Sequence, residues 1–389
     1  MSRILSITVV LLFLAGTAAA SSWEAEVVEA VGVGRFSSLK IDKDGNAHLA
    51  YVVDDGNRYP LKYAFRDAAL KRWFVMNVDF GASFCSLVLD SKQRPHISYA
   101  DHGTMSGSKL HYAHWDGATW NRQAIPLNSD VIGYYTSIGL DSADRPMISF
   151  YEYRGPKDTD IKIRLRDVKW NGEYWQVETV DWQEGSGKFN GMAIEPNGSV
   201  HIAYANVSSG TAGMRYAYWN GKSWSLEILE GHEQNNGGYV GPNASITLDK
   251  EGHPHVAYMN VSTPLLKYAV RTSAGWTIEA VDSIAKVGYP DRNSIALDDQ
   301  GRPYISYYDA GRGQLKLAHR EGQNWMTMVV DRNFSGITSS LQIDRGTIWI
   351  AYGDEANGAI KVAHSEIEPG APSKLAGFAS GKAAVPEKH

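Results

Sequence analysis

SLVLDSKQRPHISY, Ser86 to Tyr99, decides the fold of this 389-residue chain because it recurs. An apolar strand ends in an acid, a polar turn follows, and a second strand ends in an aromatic. The first half returns as SLKID at Ser38, SIGLD at Ser137, GMAIE at Gly191, SITLD at Ser245, SIALD at Ser294 and SLQID at Ser340. The second half returns as AHLAY, PMISF, VHIAY, PHVAY, PYISY and IWIAY, closing on Tyr51, Phe150, Tyr204, Tyr258, Tyr307 and Tyr352. A period of about fifty residues with this content marks a repeat architecture.

Outward from that core, a third strand reads LKYAF, LHYAH, IKIRL, MRYAY, LKYAV, LKLAH and IKVAH, and a fourth opens on Trp73, Trp120, Trp175, Trp224, Trp276 and Trp325. The seventh unit has no such tryptophan. The missing piece stands at the other end of the chain, in SSWEAEVVEA (Ser21 to Ala30), where Trp23, Val28 and Glu29 match Trp175, Val180 and Asp181. Period-two alternation and turns such as Asp44-Gly45 and Asn197-Gly198 indicate antiparallel blades. Residues 21–368 are therefore expected to form an all-β, seven-bladed β-propeller of four-stranded antiparallel blades. Its last blade is closed by the N-terminal strand, which removes the open edges.

Residues 1–20 have Arg3, the apolar run VVLLFL, and small residues at Ala18 and Ala20, the layout of a secretory signal peptide. The expected location is secreted or periplasmic, with no membrane span after cleavage. Residues 369–389 have no strand pattern and read as a disordered tail. A net charge of -5 disfavours nucleic acid as a partner. Cys85, the single cysteine, lies in the apolar run FCSLVL and reads as a buried structural thiol, so stability rests on packing without disulfides. Nothing in the pattern calls for a metal or cofactor, and a monomer is expected.

The blade pattern SLxLD, PHISY, LKYA and W-x5-D resembles the secreted β-propeller repeats grouped loosely with sialidase-like and lectin-like propellers. The resemblance covers Trp23 to His364 and implies a rigid extracellular disc used for binding or for processing polysaccharide. The S-x-D-x-G-x-x-W box of sialidases and the recurrent Trp-Asp of WD40 blades are absent, so no family's catalytic residues are carried over.

Several repeated residues read as structural. The acids closing the first strands, from Asp42 to Asp344, suit turn caps. His48, His96, His201 and His255 share one strand position, which suits packing between blades. The third-strand bases, including Lys62, His111, Lys162 and Lys267, are expected to pair with Glu26, Glu178, Glu227 and Glu279 on the neighbouring strand. Five N-x-[ST] sequons, at Asn197, Asn206, Asn243, Asn260 and Asn333, would carry glycans only in a eukaryotic secretory route.

Function is expected where the sevenfold pattern breaks. Two residues ahead of the first strands stand Phe36, Phe84, Tyr135 and Phe189, then the polar Asn243, Arg292 and Thr338. On the same face the second strands end in Asp101-His102, Glu152-Tyr153-Arg154, Asn206, Asn260, Asp309 and Asp354, and a long loop contributes Tyr239. Aromatic faces beside fixed polar groups suit sugar recognition. The ligand-binding candidates are thus Phe36, Phe84, Asp101, Tyr135, Glu152, Phe189, Tyr239, Arg292 and Asp309, with a glycan as the expected ligand. The competing reading has the aromatics plugging the central channel. As an enzyme the chain would be a polysaccharide lyase using His102, Tyr153 and Arg154, or a glycoside hydrolase using Asp101 and Glu152. A structural or protein-binding disc is the further alternative.

Overall fold

The computed structural model describes residues 23–101, 109–127, 131–154, 163–208, 210–231, 244–287, 293–332 and 338–367. The leader (1–20), the tail (369–389), His102, Tyr239 and Arg292 lie outside these residues, and Tyr153 and Arg154 are described in backbone alone. Seven four-stranded antiparallel sheets form a β-propeller. The blades span 33–79, 82–124, 131–181, 186–230, 245–283, 294–331 and 339–366. The last is completed by Glu24–Glu29, which pairs antiparallel with Ala359–Glu366. Among the described residues no helix is long and apolar enough to cross a membrane.

The second strand of each blade is buried on both faces because it is clasped between neighbouring blades. Its closing aromatic, Tyr51, Tyr99, Phe150, Tyr204, Tyr258, Tyr307 or Tyr352, is among the largest fully buried side chains. Six of these seven rings carry a hydroxyl, and each donates it to an acid on the preceding blade's fourth strand, as Tyr51 does to Glu29 (2.7 Å) and Tyr204 to Asp181 (2.9 Å). A buried hydroxyl needs such a partner, and here the partner also joins two blades. Phe150 has none to give.

Lys62, Lys267 and Lys316 use these same acids rather than the expected glutamates, whereas His111, Arg166 and Lys361 pair with Asp101, Glu152 and Asp354 of their own blade. Lys62 pairs with Glu29 (2.6 Å), Lys267 with Glu230 and Lys316 with Asp282. Glu26, Glu178, Glu227 and Glu279 instead clamp the indole N–H of the next blade: Trp73, Trp224, Trp276 and Trp325. A blade stacks face to face on its neighbour, so a side chain leaving one sheet meets the next sheet before it meets its own ladder partner. Where the glutamate position holds Met76, Gln123 or Met328, the indole N–H of Trp120, Trp175 or Trp23 has no partner among the described residues.

The third strand of blade 3 also corrects the sequence reading. It runs Ile163–Trp170, and Phe150 faces Arg166, so LRDVK rather than IKIRL matches LKYAF. Arg166, not Lys162, holds the basic position, and Asp167 stands where other blades have Tyr63 or Tyr112. The four strand-two histidines are buried, each with Nδ1 at 2.5–2.6 Å from a third-strand tyrosine hydroxyl of its own blade, so the contact expected between blades is made within one. Burial lowers all four imidazole pKa values, His96 to about 4.

On the axis, a serine of one blade accepts the backbone N–H of the next. Ser38 takes Leu87, Ser86 takes Ile138, Ser137 takes Met192, Ser245 takes Ile295, Ser294 takes Leu341, and Ser340 takes Leu39. Gly191 replaces the seventh serine, because a Cβ there would lie 2.9 Å from the Ala244 carbonyl oxygen. Cys85 is buried, its thiol on the Phe36 carbonyl.

Candidate functional site

Chain direction alternates within a blade, so the starts of first and third strands and the ends of second and fourth strands share one face. The blades are not equal there. First strands run 9, 8, 10 and 9 residues in blades 1 to 4 but 4, 4 and 6 in blades 5 to 7. Each long strand carries a register shift at its aromatic, and Phe36, Phe84, Tyr135 and Phe189 all have φ near +52°. Bulky residues rarely adopt that left-handed backbone, and such bulges re-aim side chains.

The result is a continuous arc of rings: Phe36 to Phe84 at 4.4 Å, Phe84 to Tyr135 at 4.6 Å and Tyr135 to Phe189 at 4.5 Å between centroids, all tilted. These spacings suit attractive ring contacts. The sequence grouped these four residues, and the fold brings them together. Their surfaces, however, are largely spent on one another. Phe36 is 9% exposed, Tyr135 7% and Phe189 2%. Phe189 and Cys85 roof an axial cavity of about 150 Å³.

The polar candidates are engaged in holding the face. Glu152 is buried and receives Arg166 Nη1 at 2.8 Å. Asp101 lies 2.7 Å from His111 Nε2. Asp309 is buried, accepts the Ala285 N–H and pairs with Arg312. Asn206 and Asn260 are buried and cap their own loops, receiving the N–H groups of Ser208 and Ser262. These are loop anchors: short polar side chains satisfying backbone donors that a buried bend would otherwise orphan. Asp249, Glu251 and His253 bring potential metal-ligating atoms within 4.8 Å of one another, but Asp249 already caps the turn, accepting the N–H groups of Glu251 and His253.

The face also offers groups outward that were missed in the sequence: Phe80 after the fourth strand of blade 1, 51% exposed with Arg58 5.9 Å from its ring centroid, and a larger set in blades 3 and 4. Trp182 is 68% exposed, and the Arg164 guanidinium sits 4.6 Å from its ring centroid. Lys188 Nζ is 5.8 Å from the Tyr151 ring. Tyr134, half-buried, leans on Phe84 at 5.3 Å. On blade 1, Arg35 pairs with Asp54 at 3.0 Å. The legible signal was positional: Arg35, Tyr134 and Lys188 are the residues just before the aromatics of the arc, so the same bulges turn them toward the opposite side. Chemically the blade 3–4 sector combines an open indole, a tyrosine pair and two cations, beside the strand that continues into Tyr153 and Arg154.

No protein-family model matches the chain, and no curated protein matches it. Solved structures do. An ulvan lyase of a new polysaccharide lyase family, bound to -[GlcA(1-4)Rha3S]-, superposes with a TM-score of 0.59 at 13% identity, covering 88% of this chain and 96% of that one. The polysaccharide lyase Uly1 gives 0.53 at 9% identity, over 85% and 90%. A Trypanosoma rangeli sialidase in complex with sialic acid gives 0.51 at 10% identity, over 85% of this chain and 59% of that one. The shared feature is the fold. At these identities the likeness shows the β-propeller fold and nothing finer.

Proposed function

We propose that this protein is a secreted propeller that binds an anionic extracellular polysaccharide across the blade 3–4 sector of its loop face. The observation that carries the reading is Trp182, an indole 68% exposed on a rigid scaffold and backed by Arg164, with Lys188 on the adjoining blade. An apolar ring covers the C–H face of a sugar, and guanidinium and ammonium groups take carboxylate or sulfate. The leader at 1–20 supports export. The neighbours support the ligand class: one of the lyases is bound to a glucuronate-containing unit and the sialidase to sialic acid. The test is a glycan array of neutral and acidic polysaccharides. Retention of acidic glycans that is lost in Trp182→Ala is the expected result, and indifference to glycan charge would refute it.

A second reading, a polysaccharide lyase, is favoured by the full-length match to the ulvan lyase, which this fold covers over 96% of its length. In β-elimination a cation neutralises the uronate carboxylate, so that the α-proton becomes removable, and a His or Tyr acts as base and acid. Arg154, Tyr153 and His102 would take these roles. Digestion of uronate polysaccharides, followed by the ultraviolet absorbance of unsaturated product, decides between binding and cleavage.

A further inference from the structure

The axis of the disc contains two adjoining cavities that share Ser38, Ser245, Ser294 and Ser340, the lower of about 300 Å³. Neither is lined by a carboxylate. Two properties of the lining set its chemistry. First, the six axial serines already accept a backbone N–H from the neighbouring blade, so each has its hydroxyl hydrogen left to give. Among the described residues none of the six gives it to a protein acceptor. The channel therefore presents a set of uncommitted hydroxyl donors, beside the amides of Asn190, Asn293 and Gln342.

Second, Lys40 lies two residues beyond Ser38 on the channel-facing side of the same strand and lines the lower cavity with Thr247 and Gln342. Its counterparts in the other blades are Val88, Gly139, Ala193, Thr247, Ala296 and Gln342, so the ring at this level holds a single charge. Lys40 Nζ makes no ion pair or hydrogen bond among the described residues. Lys40 is half-buried along the channel wall, and its desolvation there pushes the pKa below the ordinary lysine value. Water filling the channel would satisfy the hydroxyls but would not balance the charge.

We propose that the channel is a binding site for a small oxyanion, held between the Lys40 ammonium and the hydroxyls of Ser38, Ser340 and Thr247. The lower cavity has the volume of about ten waters, ample for a sulfate- or phosphate-sized ion with part of its hydration. The site is separate from the glycan face and independent of the reading given to it.

The experiment pairs a structure with a titration. Crystals of the leaderless protein soaked in selenate are expected to show an anomalous peak in the lower cavity within hydrogen-bond distance of Lys40 Nζ. In parallel, thermal unfolding at constant ionic strength is expected to show saturable stabilisation by millimolar sulfate. That response should weaken at least about tenfold in Lys40→Met. Acetate in place of sulfate distinguishes a carboxylate from an inorganic ion: a response to either that depends on Lys40 supports the site and names its ligand. A channel without anomalous density, a sulfate response unchanged in Lys40→Met, or stabilisation only at molar salt overturns the proposal. The selenate result needs no variant, so it stands even if Lys40→Met folds poorly.

Discussion

Ser340 Oγ of the last blade accepts the backbone N–H of Leu39 in the first at 2.9 Å, although 301 residues separate them along the chain. With Glu24–Glu29 paired to the last blade's outer strand, the ring is thus joined at the seam both at its axis and at its rim. The amide of Leu39 is buried and has no second ladder to turn to. Ser340→Ala should therefore cost roughly 1–3 kcal/mol in denaturant unfolding, the penalty of an orphaned buried donor. Deleting Ser21 to Ala30 should do far more. It strips Ala359–Glu366 of its partner and removes Glu26 and Glu29 from the clamps on Trp73 and Tyr51. A fall of many degrees in melting temperature, with aggregation, is expected, and an unchanged melt would refute the closure account.

Asp167 gives a pH-dependent prediction. It is fully buried in the third strand of blade 3, with no well-formed hydrogen bond and with Lys169 Nζ 3.4 Å from Oδ2. Burial lifts its carboxyl to about 7, against the pull of Lys169. The folded state then holds a proton that the unfolded chain, with an ordinary value of 3.8, has released. Its contribution is complete below pH 4 and is lost as pH rises through 7, at a slope on the order of 1.4 kcal/mol per pH unit. Asp167→Asn removes the titration. The melting temperature of the variant relative to the parent should therefore climb between pH 5 and pH 8, and a difference that stays flat would sink the argument.

His96 predicts the opposite trend. His96, lowered to about 4 by burial, must stay neutral to fold, so stability should fall as pH drops from about 6.5 toward 4. His96→Gln should flatten that acid limb in pH-dependent melts.

Exposure separates binding residues from packing residues on the loop face. Trp182→Ala should lose roughly 1–3 kcal/mol of affinity for an acidic glycan with an unaltered melt, the scale of uncovering an aromatic-sized surface. Lys188→Ala should weaken binding more at low salt than at high salt. Tyr135→Ala is expected to destabilise the fold, because its ring is held between Phe84 and Phe189. Calorimetric titration and melting on the same three variants measure both quantities.

For the lyase reading, His102→Ala or Tyr153→Phe should cut turnover by about 10²–10⁴ with binding largely kept, while Arg154→Ala should hurt uronate substrates more than neutral ones. Turnover that survives all three substitutions would place the chemistry elsewhere.

The repeat alone carried the architecture. Seven copies of an acid-closed strand, an aromatic-closed strand and a tryptophan strand leave one tryptophan displaced to the N-terminus, and only a closed ring makes that displacement useful. The buried role of the strand-two histidines and of Cys85 was equally legible, because repetition at one strand position implies one environment. Blade 3 was harder to read: its third strand follows a longer connection, and IKIRL and LRDVK both alternate acceptably. Only pairing against Phe150 shows that Arg166 and Asp167 occupy the positions of Lys62 and Tyr63.

Side-chain partners and exposure, by contrast, belong to the tertiary structure. A period-two pattern tells which residues share a face of a sheet, yet it is silent on which neighbouring blade that face meets. Lys62, Lys267 and Lys316 therefore found acids across blade junctions, while His111, Arg166 and Lys361 found theirs on the second strand of their own blade. The same limit governs the loop face. Sequence grouped Phe36, Phe84, Tyr135 and Phe189 correctly, but ring closure turned them onto one another and left Trp182, Arg164 and Lys188 facing solvent. The charge of Lys40 could be read from one residue, while its isolation among serines required seven strands, distant in the chain, to converge on one axis.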